Sequence, residues 1–229
     1  MSAKKTRTRE SAVTVVFDFG GVLSAGTDPV DALHEILGGD RTEISKAYWS
    51  ARSAFDSGAV DAGDYYDHLA EAAGIDELTE DEVEDLAAAD NAYWLRLAPE
   101  SRALLHDLAR SGTRIAVLSN APATFAEAVR QADWFEAVCL GVFSGEEKIS
   151  KPDPEIYRVL LDALAHETGG VSIPNRIVFF DDREANVAAA RALGIDAHLW
   201  PANDSVAVGQ RPGWQVARAV LADRGLILD

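Results

Sequence analysis

From residue 98 onward, short unbroken apolar runs alternate with stretches of helical spacing. The runs are 114–119 (RIAVLS), 137–143 (AVCLGVF), 176–180 (RIVFF) and 195–200 (IDAHLW). The stretches with helical spacing are 99–111, 122–132, 153–167 and 184–193. Continuous apolar strands separated by helices predict a parallel sheet covered on both faces. TVVF at 14–17 adds a fifth strand. The expected class is therefore α/β, with a doubly wound, mostly parallel sheet of about five strands.

Residues 25–97 break the alternation and carry helical spacing only. Asp28 is expected to cap a first helix, with Pro29 in its first turn and Gly38 and Gly39 ending it. Thr42 is expected to cap a second helix running towards Gly58, and Asp61 a third ending at Gly74. Thr79 with Glu82 three residues on fits a capping box for a fourth. This segment follows the first strand, so it reads as a helical cap inserted above that strand's carboxyl end. The chain then divides into a discontinuous α/β core, residues 1–24 and 98–229, and a helical cap, residues 25–97. A closing helix is expected within 211–229.

Composition narrows the partners. The chain has 229 residues, 48% of them hydrophobic, enough for a sizeable core. Lys and Arg total 21 against 38 Asp and Glu, a formal charge of -17. Such a surface repels phosphate polymers, so nucleic acid is not an expected partner. A small phosphorylated ligand needs only a local positive site. Cys139 is the only cysteine, which excludes an internal disulfide and favours a reducing, cytoplasmic setting. Lying in AVCLGVF, it reads as a small core residue. The opening MSAKKTRTRE reads as a disordered leader, and no apolar segment long enough for secretion or a membrane span follows it. Asn203 begins a glycosylation sequon that a cytosolic chain does not use. Nothing in the sequence chooses between a monomer and a homodimer.

Ligands of open α/β sheets bind at the carboxyl ends of the strands. Asp18 follows the first strand here. Ser119 and Asn120 follow the second, Lys148 and Lys151 the third, and Asp181 and Asp182 the fourth. Taken singly, each group has an ordinary reading as a turn or helix cap. Together, after consecutive strands, they predict one site of three carboxylates, a lysine and a hydroxyl. Carboxylates so close repel one another. Mg²⁺, which prefers oxygen ligands and keeps waters and phosphate in its shell, removes the conflict. A lysine and a Ser119 beside backbone N–H groups would hold phosphoryl oxygens.

This ordered set resembles the haloacid dehalogenase superfamily of phosphatases and related hydrolases. FDFGGV is similar to its first motif, a strand followed by Asp-x-x-x-Thr/Val. VLSNAP is similar to the second, the lysine-proline of KPDPEIY to the third, and the acid pair of VFFDDREANVAAARALG to the fourth. The stretch FDSGAVDAGDYYDHLAEAAG looks like the small helical cap placed after the first motif. The resemblance implies a Rossmann-like core and a Mg²⁺-dependent phosphatase of a small phosphorylated metabolite, sugar phosphates among the candidates. Asp18 would attack phosphorus and form an aspartyl-phosphate that water hydrolyses. Asp18, the carbonyl of Gly20 and Asp182 would hold Mg²⁺, with Asp181 helping directly or through water. Ser119 and Lys151 would hold the phosphoryl oxygens, and Asn120 would orient Asp18 or contact substrate. Lys148 is the rival for the lysine role, although the lysine-proline pairing favours Lys151. Asn186 either fixes the Asp181–Asp182 loop or is a plain helix residue. In the cap, Tyr48, Trp49 and Phe55 read as its own core, and Arg52 either meets a second anionic group of the substrate or is solvated.

One position departs from the family pattern. Superfamily phosphatases usually place a second Asp two residues after the nucleophile, as acid for the leaving group and base for water. Here Gly20 stands there. Losing positioned acid–base catalysis costs ~10²–10⁴-fold for a poor leaving group. Three routes remain: a good leaving group such as an acyl phosphate or sugar 1-phosphate, an acid lent by the cap from Asp28, Asp56 or His68, or water alone. The gap also admits two other functions. One is metal-independent dehalogenation of a 2-haloacid by Asp18, against which the Asp181–Asp182 pair counts. The other is a ligand-binding module without turnover.

Overall fold

The computed structural model describes residues 13–26, 28–201 and 211–227. The N-terminal leader and the Asn203 sequon fall outside them. Five parallel strands form one sheet: β1 (Thr14–Phe17), β2 (Arg114–Ser119), β3 (Leu140–Phe143), β4 (Ile177–Asp181) and β5 (Asp196–Leu199). Their order is β3-β2-β1-β4-β5. The chain thus builds outward on both sides of β1, and the point where that direction reverses lies at the central strand.

Alternation within the strands feeds two cores. Val15 and Phe17 of β1 join Ile115, Val117, Val178 and Phe180 on one face. Val16 joins Ala116, Leu118, Ile177 and Phe179 on the other. Each of these side chains is buried, contributing ~1.5–3 kcal/mol for a large one. Helices α5 (Pro99–Arg110), α6 (Ala123–Arg130) and α10 (Gly213–Asp223) cover the first face, while α8 (Pro154–Thr168) and α9 (Glu184–Ala192) cover the second. Phe17 stacks on Phe180 at 5.5 Å, and Trp200 meets both edge-on. A short α7 (Ser144–Glu147), which the sequence pattern did not predict, follows β3 directly.

Between β1 and α5 lie only helices: α1 (Val30–Leu37), α2 (Arg41–Asp56), α3 (Ala62–Ala73) and α4 (Glu80–Trp94). They share a separate core that includes Tyr48, Phe55, Tyr65, Tyr66 and Leu86. Phe55 stacks on Tyr65 at 4.1 Å. The two chain crossings into this layer bond to each other, Ala25 N–H to Arg96 O at 2.6 Å and Ala98 N–H to Leu23 O at 3.0 Å. Asn91 Nδ2 donates to Thr124 O at 3.2 Å, and Lys148 Nζ to Gly58 O at 2.9 Å, so the helices are tied down onto the sheet's carboxyl end.

Several local expectations shift. α1 begins at Val30, with Pro29 before it, and the Asp28 carboxylate still accepts the Val30 N–H at 3.1 Å. α2 is capped by Asp40, not Thr42: Asp40 accepts the Thr42 N–H at 2.7 Å and places Thr42 inside the first turn. β3 starts at Leu140 because Asp133–Ala137 winds into a 3-10 turn. Cys139, just ahead of that strand, is exposed and is not a core residue. Asp61 and the Thr79–Glu82 box cap α3 and α4.

Candidate active site

The register sets the site. Phe17 pairs with Val117 on one side and Phe180 on the other. Asp18 therefore emerges level with Leu118 and Asp181, and Ser119 one step further out. The Asp18, Asp181 and Asp182 carboxylates lie within 4.8 Å of one another. Lys151 arrives from the loop after α7 and is 3% exposed. Its ammonium donates to Asp18 Oδ1 at 2.8 Å, to Asp181 Oδ2 at 2.7 Å and to the Leu118 carbonyl at 2.8 Å. All three of its donors are used, so it clamps the nucleophile candidate to the acid pair. Lys148 sits on the surface against Gly58 and contributes nothing to this cluster.

Each acid has a different surrounding. Asp18 Oδ1 also accepts the Phe19 N–H at 2.7 Å, while its Oδ2 has no hydrogen-bond partner among the described residues. Burial pushes the Asp18 carboxyl up to about 7; Lys151 opposes that shift and Asp181 and Asp182 add to it. Asp181 is fully buried and saturated. Its Oδ1 accepts the Arg183 N–H and Asn186 Nδ2, both at 2.9 Å, and its Oδ2 accepts Lys151. Asn186 thus fixes the acid loop. Asp182 is half-buried, and burial followed by Asp181 raises its carboxyl. Lys151 is raised in turn: burial lowers it, but the combined pull of Asp18 and Asp181 outweighs this.

Two glycines shape the turn after Asp18. Gly21 has φ +72°, and a Cβ there would come within 2.6 Å of Asp182 Oδ2. It must be glycine for Asp182 to approach. Around Gly20 a Cβ would meet nothing within 4 Å, and its carbonyl accepts no hydrogen bond among the described residues. The donor set is then carboxylate oxygens, a bare carbonyl oxygen and one lysine against three acids. Hard oxygen donors with excess negative charge fit Mg²⁺.

A cavity of about 130 Å³ lies between this turn and the helical layer. From the sheet side it is lined by Phe19, Gly20, Ser119, Asn120, Ala121 and Phe125, and from the helices by Trp49, Arg52, Asp56 and Trp94. Ser119 is buried apart from the face it turns to this cavity, and its hydroxyl has no partner among the described residues. Asn120 clasps the Lys151 backbone in both directions, Nδ2 to O at 2.9 Å and Oδ1 from N–H at 2.8 Å. Arg52 lines the cavity and is not solvated. Its guanidinium pairs with Asp56 at 2.6 Å and Asp90 at 2.9 Å and bonds the Tyr48 hydroxyl. Trp49, expected in the cap's core, is instead 46% exposed. Of the candidate cap acids, Asp56 alone lines the cavity. Asp28 accepts the Val30 N–H at the start of α1, and His68 is exposed on α3.

Comparison with known proteins now places the chain. The sequence model of the haloacid dehalogenase-like hydrolases matches residues 13–194, and the protein belongs to that family. A sesquiterpene phosphatase from Aspergillus oryzae is 30% identical over 193 residues, covering 80% of this chain and 88% of its own. A phosphorylated carbohydrates phosphatase from Thermotoga maritima is 30% identical over 103 residues, 44% of this chain and 45% of its own. A solved structure of a family enzyme from Bacteroides thetaiotaomicron, in complex with magnesium and inorganic phosphate, superposes with a TM-score of 0.60. It is 20% identical and covers 88% of this chain and 100% of that one.

The sequence motifs point to the acids, Ser119 and Lys151. They did not reveal the Asn120–Lys151 clasp or the pairing of Arg52 with Asp90. Those partners lie 31 and 38 residues apart. A hint lay in the helical spacing of Arg52 and Asp56 on α2.

Proposed function

We propose that this hydrolase is a Mg²⁺-dependent phosphatase of a small phosphorylated metabolite, with Asp18 as its nucleophile. The observation that carries this reading is Asp18 itself. One oxygen is pinned by Lys151 and the Phe19 amide, and the other is left open beside an acid pair.

Asp18 Oδ2 attacks phosphorus in line, and an aspartyl-phosphate forms as the ester oxygen departs. Lys151 orients Asp18 and opposes, without cancelling, the burial that favours its protonated, non-nucleophilic form. The Ser119 hydroxyl donates to a phosphoryl oxygen. Asn120 secures the Lys151 backbone, and Asn186 secures Asp181, so both act as positioning residues. Asp18, the Gly20 carbonyl and Asp182 would hold Mg²⁺, with Asp181 behind them, bonded to Lys151 and Asn186. When bound, the ion supplies charge stabilisation to the phosphoryl oxygens. The helical layer excludes bulk water and favours small substrates over a phosphoprotein surface.

The test is phosphate release from acetyl phosphate and p-nitrophenyl phosphate, with Mg²⁺ and with chelator. The expected outcome is release that needs Mg²⁺ and falls about 10³-fold or more in Asp18→Asn. Halide release from a 2-haloacid that persists in chelator would replace this reading with dehalogenation. Binding of Mg²⁺ and phosphate with no turnover of any ester would replace it with a binding module.

A further inference from the structure

The cavity beside Gly20 is where a leaving group would sit, and its chemistry is one-sided. Phe19, Trp49, Trp94, Ala121 and Phe125 give it apolar walls. Apart from the Ser119 hydroxyl, the Gly20 carbonyl and one Asp56 oxygen, its polar groups are mostly engaged within the protein. Trp94 Nε1 donates to the Tyr48 hydroxyl at 2.9 Å, and Asn120 is consumed by the Lys151 backbone. Arg52 is held by Asp56, Asp90 and Tyr48. A sugar placed here would lose water from each ring hydroxyl and find few groups to replace it. An apolar ring loses nothing of the kind and gains aromatic contacts. The size agrees: 130 Å³ compares with the roughly 150 Å³ apolar cavity that accepts benzene in another protein.

Gly20 bears on the same choice independently. With no acid two residues after Asp18, and with Asp56, the one cap carboxyl on the cavity wall, tied to Arg52, the ester oxygen leaves without an aimed proton. A phenolic oxygen, whose conjugate acid has a pKa near ~10, tolerates that. A saturated alcohol holds its proton about as tightly as water, at ~16, and does not.

We propose that the substrate is a phosphate monoester of a phenol-type alcohol carrying a single, largely apolar ring, which the cavity holds between Trp49, Trp94, Phe19 and Phe125. This rests on the phosphatase reading above. Asp18 Oδ2 forms its bond to phosphorus as the bond from phosphorus to the ring oxygen breaks. The electron pair leaves on the phenoxide oxygen, which takes a proton from solvent. Water then attacks the aspartyl-phosphate, releasing inorganic phosphate and restoring the Asp18 carboxylate.

Three phosphate esters and one acyl phosphate separate ring recognition from leaving-group ability, each assayed on the full chain with Mg²⁺. Phenyl phosphate has both, benzyl phosphate the ring only, acetyl phosphate the leaving group only, and glucose 6-phosphate neither. The expected kcat/KM for phenyl phosphate exceeds that for benzyl phosphate and glucose 6-phosphate by about 10²-fold or more. Acetyl phosphate turns over with a KM about tenfold above that of phenyl phosphate. Trp49→Ala, at a half-exposed position where folding is safe, lowers the phenyl-to-acetyl ratio of kcat/KM about tenfold. Glucose 6-phosphate matching phenyl phosphate would overturn the proposal. So would benzyl phosphate matching it, since that would require an acid in the cavity, or an unchanged ratio in Trp49→Ala. Failure of all four substrates, acetyl phosphate included, would instead overturn the phosphatase reading itself.

Discussion

Gly20 stands two residues after Asp18, where the resemblance read from the sequence implies a second acid, and the structure gives that difference a testable form. Nothing stands within 4 Å of a Cβ at this position, and its backbone is not in the left-handed region. Gly20→Asp should therefore fold, and should restore a carboxyl beside the departing oxygen. Turnover of benzyl phosphate should rise by about 10-fold or more, with little change for phenyl phosphate, whose oxygen leaves unaided. An equal change for both esters would mean that the added carboxyl acts on something other than the leaving group. The grouping of Asp18, Ser119, Asp181 and Asp182 was legible because these candidates close or directly follow strands, and strand ends of a parallel sheet converge; Lys151 comes later, after α7. Their pairing was not. Whether Asp181 would be saturated, or Asn120 turned to the backbone of Lys151, depends on where separate loops meet, and local spacing carries no such information. Gly21 lies between these cases. A glycine after a strand-end acid suggests a tight turn, but only the structure shows that Asp182 fills the space its side chain would need.

At the level of elements, short-range signals translated best. Asp61 and the Thr79–Glu82 box cap their helices because capping needs only residues within one turn. Thr42 failed because Asp40, two residues earlier, is the better acceptor and starts the helix sooner. The strand order was not legible, since any order of the five strands uses the same local pattern. In the cap, the buried network is equally non-local. Asp90 is 1% exposed and accepts from Arg52, Tyr48 and Tyr66, which joins α2, α3 and α4. Asp90→Ala leaves the Arg52 guanidinium buried with Asp56 as its remaining carboxylate. The expected loss is about 3 kcal/mol in urea unfolding, in line with breaking other buried pairs. A loss under about 0.5 kcal/mol, the scale of an ordinary surface change, would show that Arg52 swings out to water once released.

Across the whole molecule, excess negative charge couples stability to pH and to metal. The formal charge is -17, and three acids face one lysine at the site. Burial raises Asp18 to about 7 and Asp56 to about 6, from an ordinary value of 3.8. Between these values the folded chain binds more protons than the unfolded one, so raising the pH from about 4 to 7 costs stability. His198 works the other way: its half-buried ring is lowered, mainly by burial, so acidification through 6.5 favours the unfolded chain. These carboxyls and Asp182, also raised by burial, outweigh that one imidazole. The lowered acids Asp40, Glu82, Asp107 and Asp133 titrate below this window. In chelator, the melting temperature should therefore rise on going from pH 7.5 to 5.5. Mg²⁺ competes with the same protons, so its effect should run opposite. At 100 times its dissociation constant it should add about 2.7 kcal/mol at pH 7.5. For a chain of this size that is a shift of roughly 5–10 °C. At pH 5.5 the shift should shrink towards zero as the carboxyls hold protons instead. Thermal melts at both pH values, with Mg²⁺ and with chelator, read all four corners. A Mg²⁺ shift that is the same at both would mean that the ion binds somewhere other than the Asp18, Asp181 and Asp182 cluster.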